Sequence, residues 1–128
     1  MQSIPQSQYD VYSQLARADF IRRMKLHLRY AFPDECSQLD DAKLSELIES
    51  GIGKAAVHAI EIEAGVAKFI SLMVAFGPDF DKDPKHDWAR AVLEDEELDD
   101  PANKANLLYD AALEHTRIEE GISQVEDE

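Results

Sequence analysis

The chain has 128 residues, a single cysteine and a formal charge of −14, with 45% hydrophobic and 31% charged residues. That is the profile of one soluble folded domain with enough apolar residues for a core, which excludes a disordered chain. Cys36 has no second cysteine to pair with, which excludes an internal disulfide and points to a reducing cytoplasm.

The N-terminal MQSIPQSQYD lacks the charged-then-apolar pattern of a signal peptide. Ser7 and Asp10, three apart, form a weak capping-box-like start to a helix. Phe20, Ile21, Met24, Leu28 and Ala31 fall on one helical face, with Arg22, Lys25 and Arg29 as a basic stripe opposite. Pro33 ends this helix, because the residue before proline is pushed out of the α region. Asp40 or Asp41 then caps a second helix through LSELIES, which Gly51 and Gly53 are expected to break or kink.

The third helix, Glu63–Phe76, is apolar around most of its circumference, with Lys68, Ser71 and Ala75 as its polar or small strip. Such a helix belongs at the centre of a domain. Its apolar run Val66–Phe76 is 11 residues, too short to span a bilayer. Gly77-Pro78 stops it. A helix over about Asp87–Glu97 turns Trp88, Val92 and Ala91 inward. Asp100-Pro101 opens the last helix, whose inward stripe is Leu108, Ala111, Ala112, His115, Ile118 and Ile122. The fold expected is all-α, a compact single-domain bundle of about five helices over 1–128, with 1–8 and 122–128 frayed.

Several stretches invite a chemical reading. Asp79, Asp81 and Asp83 match the first three acidic positions of an EF-hand, but Pro84 replaces its glycine and Arg90 its bidentate glutamate. The plainer reading is a structural loop in which Asp79, Asp81 and Asp83 cap the backbone while Phe80 and Trp88 anchor it to the core. GIGK at Gly51–Lys54 fails as a phosphate loop, with Ile48 for the first glycine and Ala55 for the hydroxyl. His58 and Glu61, three apart, could face a metal from one helix, but a di-metal bundle needs a second such pair, which is absent. His27 and His115 read as histidines at the edge of the core. Cys36 would need a partnered histidine to act as a nucleophile. No catalytic, metal or cofactor residue is assigned.

Charge divides unevenly along the chain. Residues 1–60 carry a net −1 and residues 61–128 a net −13. That field repels nucleic acid and anionic lipid and suits a basic protein surface. Glu94, Glu96, Glu97, Asp99 and Asp100 are the partner-binding candidates. The basic stripe of Arg22, Lys25 and Arg29 is expected to be neutralised by the acidic second half.

Three blocks, FIRRMKLHLRYAFPDEC, ESGIGKAAVHAI and LMVAFGPDFDKDPKHDWA, together resemble a group of small all-helical bacterial proteins encoded beside type VI secretion spike and effector genes. The likeness covers roughly residues 20–98. Its most particular part is Phe76-Gly77 followed by Phe80-Asp81, Asp83-Pro84 and Trp88-Ala89. In those relatives a proline tends to precede the tryptophan, where this chain has Asp87. The resemblance implies a non-enzymatic accessory of secreted effectors: an adaptor, a chaperone or an immunity protein neutralising a cognate toxin. The expected partner is another protein with a basic surface, not nucleic acid or membrane. The alternative of a different class is a small helical metal protein or enzyme using His58, Glu61 and His27.

Overall fold

The computed structural model describes the backbone of residues 6–95 and 101–126, and the side chains of 16–95 and 103–116. The chain is all-α, and no strand occurs among the described residues. Five helices have seven residues or more: α1 Gln6–Ala31, α3 Asp41–Val57, α4 Glu63–Phe76, α5 Asp87–Leu93 and α6 Pro101–Glu126. A four-residue turn of helix, α2 Pro33–Cys36, follows α1, and a 3₁₀ turn, Pro84–His86, precedes α5. The chain divides into two compact units, Met1–Glu49 and Ser50–Glu128.

In the first unit the expected apolar face of α1 is buried at Phe20, Met24 and Leu28, while Ile21 is half-buried and Ala31 exposed. Phe32 leaves the helical region (φ −131°, ψ 61°) and Pro33 opens α2 at its first position, where a missing N–H costs nothing. Cys36 is buried at the end of α2, and its thiol donates to the Leu28 carbonyl at 3.6 Å. Asp40 caps α3: its Oδ1 accepts from the Lys43 amide at 2.8 Å and its carbonyl from the Leu44 amide at 3.0 Å. The Ser7 and Asp10 side chains lie outside the described residues.

In the second unit α4 is the hydrophobic centre. Val66, Phe69, Ile70, Leu72 and Met73 are all buried and form one broad face, while Lys68 and Val74 are half-buried and Ala64 and Ala75 exposed. Ser71, expected on the polar strip, is buried too. Its hydroxyl is satisfied within the helix by donating to the Ala67 carbonyl at 2.9 Å. α6 lies against α4 and α5. It buries Ala105, Leu108 and Ala112, a stripe at three- and four-residue spacing that reaches one turn earlier than Leu108. Ala111 and His115 are half-buried, and the Ile118 and Ile122 side chains lie outside the described residues. Lys68 of α4 donates to Asn106 Oδ1 and sits over the Tyr109 ring at 6.0 Å, two further ties to α6.

Two expectations about helix limits are corrected. α3 is not interrupted at Gly51 or Gly53; it runs unbroken to Val57. Gly51 serves instead as a point of close approach to α4. A Cβ there would lie 2.5 Å from Ile70 Cγ1 and 3.0 Å from Met73 Sδ. α5 ends at Leu93, not Glu97, and Glu94 is its C-cap (φ −93°, ψ 0°). Acidic residues continuing from Glu94 would place negative charge on the negative end of the helix dipole, which favours stopping there. The shortened helix buries Ala89 and Leu93, half-buries Trp88 and Val92, and leaves Ala91 exposed.

α3 closes with a Schellman motif. The Ile60 amide donates to the Ala55 carbonyl at 2.9 Å and the Ala59 amide to the Ala56 carbonyl at 2.9 Å. Ala59 takes the left-handed position, φ +62°, which glycine ordinarily fills. Buried Ile60 follows as the apolar residue of the motif.

Three substitutions probe this geometry. Gly53→Ala adds a methyl into open space on an exposed helical position and should stabilise by about 0.5–1 kcal/mol. Gly51→Ala should instead destabilise by about 1–2 kcal/mol, since overpacking against buried Ile70 outweighs the helix-propensity gain. Ala59→Gly should stabilise by about 0.5–1 kcal/mol by relieving the left-handed strain. Urea unfolding midpoints measure all three, and equal responses of Gly51→Ala and Gly53→Ala would contradict the close approach of α3 and α4.

Candidate functional site

The loop after α4 is built by side chains from the end of α3. Lys54 and His58 are one helical turn apart and so face the same way. Lys54 Nζ donates to the Pro78 carbonyl at 2.6 Å and to Asp79 Oδ1 at 3.0 Å. His58 Nε2 lies 3.0 Å from Asp81 Oδ2. Asp83 faces its own turn: Asp83 Oδ1 accepts from the Lys85 amide at 3.0 Å and caps the 3₁₀ turn. The three carboxylates of the calcium-like spacing therefore engage three different donors instead of converging on one point.

The backbone of the loop is also tied. Gly77, φ +110°, ends α4 with its amide on the Met73 carbonyl at 2.9 Å. The Lys82 and Asp83 amides both return to the Asp79 carbonyl, at 2.9 and 3.0 Å. Phe80 is fully buried and Trp88 half-buried. Ring contacts run from His58 through Phe69, Phe80 and Trp88 to His115, with successive centroids 5.9, 5.1, 6.3 and 5.7 Å apart. Phe76 and His86 flank Trp88 edge-on. Among them the Phe69–Phe80, Phe76–Trp88 and Phe80–Trp88 pairs are of a kind worth about 0.5–1.5 kcal/mol each beyond area burial, and the ring contacts tie the loop to α4 and α6.

Asp81 is the unusual member. Its side chain is 2% exposed, and Oδ1 has no hydrogen-bond partner. His58 thus carries the whole polar compensation for a buried carboxylate, which would otherwise be strongly disfavoured. His86 Nδ1 and Trp88 Nε1 are likewise buried without partners.

The other candidates fall out as follows. Glu61 is exposed in the α3–α4 turn, and His58 engages Asp81 in place of any shared site with Glu61. Among the described residues no group of three His, Cys, Asp or Glu is arranged to hold a metal ion. His27, expected at the edge of the core, is exposed. Burial pushes the Cys36 thiol above its ordinary pKa, the nearby Arg29 opposing this only in part. A raised thiol pKa lowers the thiolate fraction and makes Cys36 a poor nucleophile.

Glu94 is exposed at the end of α5, 3.7 Å from Arg90 in an i,i+4 pair. Glu96, Glu97, Asp99 and Asp100 lie outside the described residues. The basic stripe finds partners within its own unit. Arg22 pairs with Asp19 at 2.8 Å, Lys25 with Asp41 at 3.0 Å, and Arg29 donates to the Leu39 carbonyl at 3.2 Å. Hydrogen bonds from Arg22 and then Arg23 hold the Asp19 carboxyl below the usual carboxylate range. Neither Lys54 nor the pairing of His58 with Asp81 was singled out from sequence. The i,i+4 spacing of a lysine and a histidine ahead of a run of aspartates was a partial signal.

Removing His58 and Asp81 together should cost less than the two separate losses added. His58→Ala leaves Asp81 buried and uncompensated, and should destabilise by about 2–3 kcal/mol. In the His58→Ala/Asp81→Ala double variant the loss should be smaller than the sum of the single losses, with a coupling of about 1 kcal/mol or more. Chemical denaturation of the four proteins closes this cycle, and strict additivity would show that the pair does not interact.

Compared with known proteins, the chain matches no family model, no curated protein and no solved structure.

Proposed function

We propose that this chain is a non-enzymatic protein-binding accessory, an adaptor or chaperone for a type VI secretion effector or spike component in the bacterial cytoplasm. The observation that carries this reading is the charge asymmetry: a net −13 in residues 61–128, with Glu94 exposed at the end of α5 where the acidic run begins. A basic partner surface is drawn to such a field, and complementary charge acts chiefly on the rate of encounter. The resemblance over residues 20–98 supports the secretion setting. The loop motif that carries that resemblance is occupied with its own packing and capping, which fits a scaffold and not a reaction centre. Among the described residues no helix is long and apolar enough to cross a membrane.

An immunity protein is the second reading, because an acidic face also suits the basic cleft of a nuclease toxin. Co-expression separates the two. Rescue from the toxicity of a neighbouring effector marks immunity, whereas loss of effector stability or secretion on deleting this gene marks an adaptor or chaperone.

Affinity capture from the native bacterium, read by mass spectrometry, identifies the partner for the kinetic test. Reversing Glu94, Glu96 and Glu97 to lysine should slow association several-fold at low salt, with a smaller effect on dissociation. The difference should shrink as the Debye length falls to about 8 Å at physiological ionic strength. Equal association rates and equal salt slopes for the variant and the parent protein would reject the acidic segment as the docking surface.

A further inference from the structure

The side of α1 away from its buried stripe carries an open groove of about 590 Å³, lined by Ala18, Ile21, Arg22, Lys25, Leu26 and Arg29, with Asp41 of α3 completing it. From Ala18 to Arg29 it follows α1 for about 17 Å, at 1.5 Å per residue. Its apolar edge does not serve the core. Leu26 is 63% exposed, and Tyr30, one turn further on, is 89% exposed. Its polar edge is cationic. Residues 17–29 hold five Lys/Arg against one Asp, in a chain whose total charge is −14.

The three cations are held in place yet not used up. Arg22 engages Asp19, Lys25 engages Asp41 and Arg29 engages the Leu39 carbonyl, one recorded contact each. A guanidinium has five N–H donors and an ammonium three, so most of their hydrogen-bonding capacity remains. Side chains already ordered lose less entropy on binding.

We propose that this groove docks an acidic amphipathic helix of a partner protein, about three turns long, with apolar residues on Ile21 and Leu26 and carboxylates on Arg22, Lys25 and Arg29. Charge complementarity selects this occupant. A short acidic segment is repelled by the net charge of the chain and attracted by this one stretch, which defines where it lands. A nucleic acid is disfavoured, because its phosphates would meet the net −14 over a longer contact and its backbone offers no aliphatic match to Leu26 and Tyr30. The groove is made of residues of Met1–Glu49 alone, and its docking role stands whether or not the acidic half binds a basic partner.

A display library of random peptides of about 14 residues, about four helical turns, panned against the full chain tests the assignment. The selected peptides should be acidic, with Leu, Ile or Phe at three- or four-residue spacing. By fluorescence anisotropy they should bind the Arg22→Glu/Arg29→Glu variant on the order of tenfold or more weakly than the parent. They should also bind Leu26→Ser several-fold more weakly. Circular dichroism should show both variants folded, since these side chains are exposed. An enriched pool without acidic character, no enrichment at all, or unchanged binding to the charge-reversed variant would overturn the proposal. So would tighter binding of a single-stranded DNA oligonucleotide than of the selected peptides.

Discussion

The second unit depends on one double tie. Lys54 and His58, a helical turn apart at the end of α3, hold the Pro78–Asp81 segment beyond α4. The two halves of the tie differ in kind. Lys54 to Asp79 is a largely exposed pair, worth little in water, whose value is to fix where the chain leaves α4. His58 to Asp81 reaches a carboxylate that is almost wholly buried, so the loop cannot shift without exposing an unpaired charge to the interior. With that carboxylate placed, Phe80 next to it enters the ring contacts on Phe69 and Trp88. Through Trp88 and His115 the loop is fastened to α6.

The tie also explains why α3 must be long and smooth. Lys54 and His58 reach the loop because α3 continues through Gly51 and Gly53 and lies close on α4. Close approach requires the absence of a side chain at Gly51, and the left-handed Ala59 ends the helix at the turn after Lys54. Gly51 costs helix propensity but leaves room for the Ile70 and Met73 side chains to pack over α3.

Charge is organised locally as well as globally. Arg22, Lys25 and Arg29 of α1 are steadied by Asp19, Asp41 and a carbonyl of their own unit. Asp19 lies within one helical turn of Arg22 and Arg23, so those pairs form at little cost in chain entropy. The cationic strip of α1 keeps hydrogen-bond donors of its own, in a chain whose negative charge is concentrated in residues 61–128.

The helices and their stops were legible in the chain: Pro33, Asp40, Gly77-Pro78 and Pro101 stand where the structure breaks or begins its helices. So were the apolar face of α1 and the buried face of α4, since periodicity and composition report directly on which residues avoid water. Burial at Ser71, Ala89 and Ala105 was not legible. Small residues carry little hydrophobic signal, and their place is set by how near a neighbouring helix comes. The end of α5 at Leu93 was not legible either, and the fate of Gly51 depended on whether side chains of another helix packed over it. By itself the sequence determined an all-α chain, its core faces and its charge division, because these follow from local propensity and from patterns a few residues long. Only the tertiary structure decided that Lys54 meets Asp79 and His58 meets Asp81 across more than 20 positions. Such pairings are properties of packed surfaces: the i,i+4 spacing of Lys54 and His58 says that the two face one way, not what they meet.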